Sequence, residues 1–229
     1  MRQPTIHFAK VVAALVVVLA AFALPANAAP GTGGAQSGIH QSAQPVPQVR
    51  AYSPTPSRSG SGTTKPAGLK PISPLAAAQG DIPVVLYNYN SGWCLGVWGN
   101  SRTAGASVTT WDCDGGADKI WHLQSLGQGF FSVRNHNSGM CLGVLGGSTT
   151  PGAHLVQWPC AGGINDQAWS QPYTGYYGGD GNPLWYVQNY DSQVMGVLGG
   201  STAKAATIVQ WPAAYPKAPG DQGWEFWAA

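Results

Sequence analysis

One stretch of seven residues is written twice in this chain, and the two copies limit its possible folds more than any other feature. "GVLGGST" occupies residues 143–149 and returns 53 residues later, at 196–202. A related stretch, "GVWGNSR", lies 47 residues before the first copy, at 96–102. Repetition at a period of roughly 20–50 residues is typical of proteins built from repeated supersecondary units. We therefore expect three related units.

Tryptophans keep the same register in all three units. One tryptophan lies 15 residues after the first glycine of each motif, at Trp111, Trp158 and Trp211. A second tryptophan closes each unit 10, 11 or 13 residues later. Because this second set marks the internal symmetry, we expect its members to form a shared buried layer. The closing tryptophans are Trp121, Trp169 and Trp224.

The units consist of short runs of β-branched and aromatic residues, separated by Gly, Asn, Asp and Ser. Each begins with a strand-like run, "VVLYN", "FSVRN" or "WYVQN", and this pattern predicts strands joined by turns. A β-propeller typically needs at least about four blades, so three units count against it. We predict an all-β fold, a β-trefoil, with repeats at about 84–127, 128–182 and 183–229.

The N-terminal residues are expected to lie outside this fold. A positively charged start is followed by an uncharged apolar run at 11–24 and by the small-x-small pattern of Ala26–Ala28, which is typical of a signal peptide. The rival interpretation is a membrane anchor, but the run is shorter than the roughly 20 residues that span a bilayer. We predict a signal peptide at 1–28 and a secreted, extracellular protein.

Composition separates a linker from a domain. Residues 29–83 are rich in Pro, Ser and Gly and poor in large apolar residues, which predicts a flexible linker. Whether this linker carries glycans or is a pro-segment stays open. Residues 84–229 contain five basic and eight acidic residues, net −3. Without a basic patch, nucleic acid is not an expected partner.

The repeats carry a family resemblance. "SGWCLGV…TTWDC…DKIW", "SGMCLGV…VQWPC…DQAW" and "VMGV…VQWPAA…DQGW" resemble the three repeats of the ricin B-type lectin family. The family's closing Gln-x-Trp is present at 167–169 and 222–224, whereas the first repeat has Lys119 in place of the glutamine. The resemblance covers 84–229 and implies a β-trefoil that binds carbohydrate.

Four cysteines form two pairs, each separated by 19 residues within one repeat. The third repeat has Val194 and Ala213 at the equivalent positions, and a joint loss of this kind is what a bonded pair would show. A zinc site is the rival interpretation, but there is no Cys-x-x-Cys and no suitably spaced histidine. We expect no metal and no cofactor. The predicted disulfides are Cys94–Cys113 and Cys141–Cys160.

Sugars are bound by aromatic faces and by directional hydrogen bonds. The family's stacking aromatic stands two residues before the second cysteine of a repeat, and its polar residues stand three and two positions before the closing tryptophan. The ordinary alternatives are core tryptophans and turn aspartates. The resemblance implies a carbohydrate-binding set of Trp111, Asp118, Trp158, Asp166, Gln167, Trp211, Asp221 and Gln222.

The chain departs from the family at one position of every repeat. The family usually has an aspartate two residues after the first cysteine, where this chain has Gly96, Gly143 and Gly196. Three outcomes are open: the aspartates near the closing tryptophans take over, the sugar is held by a different face, or sugar binding is lost. The glycine-rich motif itself is expected to form a tight loop beside the pocket.

Catalysis has little support in the sequence. There is no Gly-x-Ser-x-Gly, no His-Glu-x-x-His and no separable carboxylate pair, and His122, His136 and His154 are scattered. We predict a secreted, non-catalytic lectin that binds glycans or polysaccharide. The alternative is a trefoil module that binds a protein and no sugar. Because Lys119 only donates hydrogen bonds, we expect the first site to be the weakest or altered in preference.

Overall fold

The structure is a computed structural model of the chain. The predicted signal peptide and most of the predicted linker lie outside the part that it describes. The described residues are 50–51, 65–163, 165–214 and 219–229.

The described residues are mostly short strands, as an all-β fold requires. They include one seven-residue helix, α1 (Pro74–Gly80), and in this part of the chain no helix is long and apolar enough to cross a membrane. The strands are β1 (Arg50–Ala51), β2 (Lys70–Pro71), β3 (Val84–Asn88), β4 (Cys94–Val97), β5 (Val108–Trp111), β6 (Trp121–Gly127), β7 (Phe130–Asn135), β8 (Cys141–Val144), β9 (Leu155–Trp158), β10 (Trp169–Ser170), β11 (Tyr173–Tyr177), β12 (Pro183–Trp185), β13 (Gln188–Asn189), β14 (Val194–Val197), β15 (Ile208–Trp211) and β16 (Trp224–Ala228).

The strands form a closed barrel with three hairpins. β3 pairs with β6 and β16, β6 with β7, β7 with β10, and β10 with β13. β12, which lies just before β13 in the chain, pairs with β16 and closes the ring. The hairpins β4–β5, β8–β9 and β14–β15 touch one another through single bridges. This arrangement is the predicted β-trefoil.

The closing tryptophans form the predicted buried layer. All three are 0% exposed and belong to one hydrophobic cluster with side chains from every repeat. Each indole N–H donates to a backbone carbonyl of its own repeat at 3.0 Å, so no polar atom of the ring is left unpaired. The bonds are Trp121 to Leu95, Trp169 to Leu142, and Trp224 to Met195.

The cysteine pairing predicted from the sequence is confirmed. Cys94 is bonded to Cys113 and Cys141 to Cys160, each within its own repeat. Each bridge links the strand that carries the glycine motif to the segment after the stacking-position tryptophan. The first two repeats are therefore cross-linked next to their candidate sites.

The domain begins earlier than the predicted boundary at residue 84. β2 pairs with β16, and Ser73 caps α1 by accepting a hydrogen bond from the Ala76 N–H at 3.2 Å. Ala77 is fully buried in the main core. The end of the predicted linker is therefore part of the fold, because its strand and helix bury apolar surface against the barrel.

Candidate functional site

Each hairpin has one buried and one outward face. Opposite residues of an antiparallel pair share a face, and successive residues alternate between faces. In β8–β9, Cys141 lies opposite Trp158 and Gly143 lies opposite Val156, whereas Leu142 points into the core. Trp158 and Gly143 therefore share the outward face. The equivalent pairs are Trp111 with Gly96 and Trp211 with Gly196.

The space above each glycine of this face is filled by groups from the loop before the closing tryptophan. A Cβ added at Gly143 would lie 2.9 Å from Asp166 Oδ2, and one at Gly196 would lie 2.7 Å from Asp221 Oδ2. Both distances are shorter than real Cβ contacts. A carboxylate from the loop before the closing tryptophan therefore occupies the space that a side chain at the glycine position would fill.

Buried asparagines hold these aspartates in place. The side-chain amide of an asparagine at the end of the next repeat's first strand donates to the aspartate's backbone carbonyl, so each candidate site is positioned by its neighbour. The bonds are Asn135 to Asp118 at 2.8 Å, Asn189 to Asp166 at 2.8 Å, and Asn88 to Asp221 at 2.7 Å. The same asparagines end the runs "VVLYN", "FSVRN" and "WYVQN".

The carboxylates of the second and third repeats are partly open to solvent. Asp166 and Asp221 are half-buried, and Asp166 Oδ2 accepts a hydrogen bond from the Val144 N–H at 3.3 Å. Burial raises the pKa of Asp221, although a bond from the Val197 N–H opposes the shift. Each carboxylate can still accept hydrogen bonds from a ligand's hydroxyl groups.

The repeated glycine motif forms the rim of each site. Gly146 and Gly147 both have positive φ, at 65° and 62°, a conformation that glycine adopts without steric cost. This turn holds Leu145 outward, and the equivalent residues are Trp98 and Leu198. These three side chains are 52%, 52% and 45% exposed. They are not among the predicted site residues, although a large apolar residue directly before two left-handed turn positions is a usable signal.

The tryptophans of the second and third repeats rest on glycines of the preceding repeat. Trp158 is 50% exposed and Trp211 is 49% exposed. Their rings lie against Gly105 and Gly152, where an added Cβ would be 3.1 Å and 2.9 Å from a ring carbon. One side of each indole is thus supported by a tight turn, and half of its surface is open to solvent.

Trp111 of the first repeat has different surroundings. The residue beneath it is Ala205, which adopts φ 64° where the other junctions have glycine. The Lys204 ammonium lies over the Trp111 ring, 4.7 Å from its centroid, and is ion-paired with Asp112. Trp98 packs edge-on against Trp111 at 5.6 Å. As a result Trp111 is only partly exposed.

The carboxylate of the first repeat is also occupied. Lys119 Nζ lies 3.0 Å from Asp118 Oδ1 and 3.0 Å from Asp114 Oδ1, and both Lys119 and Asp118 are buried. Burial works against the charged amine, yet these two carboxylates raise the pKa of Lys119 above its usual value. A groove of about 500 Å³ remains between Trp98, Trp111 and this cluster. Its two charged side chains, Asp118 and Lys119, are ion-paired with each other.

Two residues of the predicted carbohydrate-binding set have another role. Gln167 is buried, donates to the Pro159 carbonyl at 3.0 Å and accepts from the Ala161 N–H at 2.9 Å. Gln222 makes the same pair of bonds, to Pro212 and Ala214. Each side-chain amide thus holds the loop that follows the stacking-position tryptophan, and contact of either glutamine with a sugar stays a prediction.

Comparison with known proteins gives a family and a fold. A family model described as "Ricin-type beta-trefoil lectin domain-like" matches residues 77–158 and 121–211. The chain is similar to ThreeFoil, a designed 3-fold symmetric protein, with 27% identity and a TM-score of 0.56 over 63% of this chain and 96% of that one. No curated protein matches the chain.

Two further solved structures share the fold. The exo-β-1,3-galactanase 1,3Gal43A of Clostridium thermocellum is 27% identical, with a TM-score of 0.57, over 65% of this chain but only 30% of the galactanase. A ricin B-like lectin of Macrolepiota procera, solved in complex with lactose, is 15% identical with a TM-score of 0.51, over 64% of this chain and 94% of that one.

Proposed function

The chain belongs to the ricin-type β-trefoil lectin domain-like family, and we propose that it binds carbohydrate through two working sites, in its second and third repeats. The observation that carries the proposal is the shared outward face, on which an exposed tryptophan stands beside a half-buried aspartate. In the second repeat these residues are Trp158 and Asp166, and in the third they are Trp211 and Asp221.

The chemistry of each face suits a neutral sugar. An exposed indole offers a flat surface for the C–H face of a pyranose ring, and a carboxylate accepts strong hydrogen bonds from hydroxyl groups. Leu145 or Leu198 adds apolar contact at the rim. The glycine that replaces the family aspartate does not remove the acceptor, because Asp166 or Asp221 supplies a carboxylate at the same place.

Protein binding without sugar is the second candidate. The glycines at 96, 143 and 196 favoured it in the sequence, since glycine offers no acceptor to a sugar. The structure weakens that reason, because each glycine makes room for a group from the opposite loop. A carboxylate beside each exposed tryptophan suits sugar hydroxyls better than it suits an apolar protein surface.

Calorimetric titration of the whole chain tests the proposal, with β-1,3-linked galacto-oligosaccharide and lactose as first probes and a glycan array as the wider screen. These probes follow from the galactanase and from the lactose-bound lectin. We expect about two sites per chain. Trp158→Ala and Trp211→Ala should each remove one, and the double variant should remove both without changing the melting temperature.

The matched control is Trp111→Ala, which should leave the number of sites unchanged. A blank across the array for the unaltered protein would overturn the proposal, and so would full binding by the double variant. On a polysaccharide, each single variant should lose more affinity than on the free sugar, because two weak sites on one chain act together.

We also propose that the protein is exported and acts without catalysis of its own. Two disulfides in a small domain are typical of secreted proteins, and both are formed here. The predicted signal peptide at 1–28 lies outside the described residues. Expression with the native N-terminus, followed by mass measurement of the protein in the medium, would show cleavage after Ala28. An uncleaved or wholly intracellular product would contradict export.

A further inference from the structure

We propose that a pocket around the buried carboxylate of Glu225 binds a primary ammonium group, and that Lys65 fills this pocket to anchor the N-terminal segment of the domain to the barrel. The side chains that form this ammonium pocket are Glu225, Asp180, Tyr87 and Trp227. They belong to β3, β16 and the turn between β11 and β12, whereas the candidate sugar sites lie on the three hairpins. The inference therefore does not depend on the proposed function.

Glu225 is buried at a position where the other repeats have a partly exposed residue. Its neighbour Phe226 belongs to the main core, so the alternation of a strand directs Glu225 to the outer face of the barrel. The Glu225 side chain is nevertheless only 1% exposed. The residue after the closing tryptophan is His122 in the first repeat and Ser170 in the second, and both are partly exposed. Something specific to the third repeat therefore covers this face.

The segment before β3 provides the cover. The Ile72 N–H donates to the Phe226 carbonyl at 2.9 Å. Leu69 packs against a small hydrophobic cluster on the outer face, which includes Tyr87 and Trp227. Burying a charge costs stability unless the charge is paired and hydrogen-bonded. The segment that buries the carboxylate must therefore also bring a partner for it.

The partner is Lys65, and its surroundings match an ammonium group. An ammonium has three N–H donors, and carboxylate oxygens are available to all three. Lys65 Nζ lies 3.2 Å from both Glu225 Oε1 and Oε2, and it is also ion-paired with Asp180. The rings of Tyr87 and Trp227 flank it, with centroids 5.6 Å and 5.3 Å from Nζ. Aromatic faces attract a cation at this distance.

Groups other than Lys65 hold the carboxylate of the pocket in place. The Trp227 indole N–H donates to Glu225 Oε2 at 3.1 Å. The β11–β12 turn packs tightly from the other side, since a Cβ added at Gly178 would lie 2.6 Å from Glu225 Oε1. Burial raises the pKa of Glu225, and the Lys65 ammonium opposes the rise. The acceptor thus stays in position without the lysine, ready for an amine from solution.

Thermal melts of the full chain test the anchor. Lys65→Ala leaves a buried carboxylate without its cation, and loss of one partner of a buried pair is strongly destabilising. We expect the melting temperature to fall by about 6–12 °C. Lys70→Ala is the matched control, because it removes an exposed lysine of the same segment and should change the melting temperature little. Hydrogen exchange of the α1 amides should become faster in Lys65→Ala only.

Rescue by an added amine separates a binding site from an ordinary ion pair. n-Butylamine reproduces the lysine side chain beyond its Cα, so it should restore part of the lost melting temperature of Lys65→Ala and leave the unaltered protein unchanged. Tetramethylammonium at the same ionic strength has the charge but no N–H to donate, and it should restore nothing. Adding Glu225→Gln to Lys65→Ala removes the unpaired charge. The double variant should melt higher than Lys65→Ala and should not respond to n-butylamine.

Two results would overturn the inference. One is a Lys65→Ala variant that melts with Lys70→Ala, because Lys65 would then anchor nothing. The other is equal rescue by n-butylamine and tetramethylammonium, because the pocket would then not recognise an ammonium through its N–H groups. If Lys65→Ala does not fold, refolding beside each amine replaces the melts. Recovery of folded protein with n-butylamine alone supports the pocket, and recovery with both amines or with neither overturns it.

Discussion

In the second repeat Trp158 is half exposed and Asp166 can still accept hydrogen bonds, whereas in the first repeat Lys204 lies over Trp111 and Lys119 neutralises Asp118. The backbones are nevertheless equivalent, with the same strand register and the same glycine turn. Different residues therefore specify the frame of a repeat and the chemistry of its outward face. A few side chains distinguish one outward face from the others.

The strongest test of a shared frame is the core. Replacing Trp121, Trp169 or Trp224 by alanine should lower the free energy of unfolding by about 3–5 kcal/mol in each case. All three are fully buried and make the same N–H to carbonyl bond. Urea unfolding measures the three costs. A cost for Trp121→Ala well below the other two would contradict an equal contribution of the three tryptophans to the core.

Reduction of the disulfides should destabilise the first two repeats more than the third. Each 19-residue loop is worth about 3 kcal/mol by the chain-entropy estimate, and only the first two repeats contain one. Hydrogen exchange with and without reductant should therefore show loosening around Cys94 and Cys141, with less change in β14 and β15. Equal loosening in all three repeats would mean that the bridges stabilise the barrel as a whole.

The glycines under the carboxylates should respond unequally to a methyl group. Gly143→Ala would place its Cβ 2.9 Å from Asp166 Oδ2 and 3.0 Å from Gln167 Cγ. The Cβ of Gly96→Ala would be this close to one atom only, Lys119 Cγ at 2.9 Å, with Asp118 Oδ2 at 3.5 Å. We expect overpacking to cost about 1–3 kcal/mol at Gly143 and less at Gly96. Thermal melts measure both variants. A larger loss at Gly96 would contradict the assignment of Asp166 to this space.

The smallest expected effect is a gain in stability at the third junction. Ala205 is held at φ 64°, and a left-handed conformation costs a non-glycine residue about 1–2 kcal/mol. After the extra entropy of an unfolded glycine is subtracted, Ala205→Gly should raise the free energy of unfolding by about 0.5–1 kcal/mol. Chemical denaturation of the variant beside the unaltered chain measures this difference, and a destabilised variant would contradict the account.

Repetition explains why so much of the frame could be predicted from the sequence. Three copies in register locate the closing tryptophans, and the joint replacement of two cysteines by Val194 and Ala213 in the third repeat indicates the bridges. The folded segment at 65–83 was missed, because a seven-residue helix rich in alanine has no apolar period to read. It is placed by pairing with β16, a contact between distant parts of the chain.

The sites were harder to predict than the frame, because their decisive contacts join different loops. The sequence offered Asp166 as a candidate but could not show that its carboxylate lies above Gly143. Gln167 looked like a ligand residue because it belongs to the repeated Gln-x-Trp, yet its bonds go to the backbone. The contact between Lys204 and Trp111 could not be predicted, since these residues belong to different repeats and meet only in the folded barrel.

The carboxylate above Gly143 also constrains how such a chain can evolve. An aspartate at position 143 and one at 166 would compete for the same space and repel each other, so a return to the family arrangement needs two coupled substitutions. If only one of the two positions is changed, the repeat has either two crowded carboxylates or none. All three repeats have the same glycine–aspartate combination. A change of the glycine in any one repeat therefore needs a compensating change at the aspartate of the same repeat.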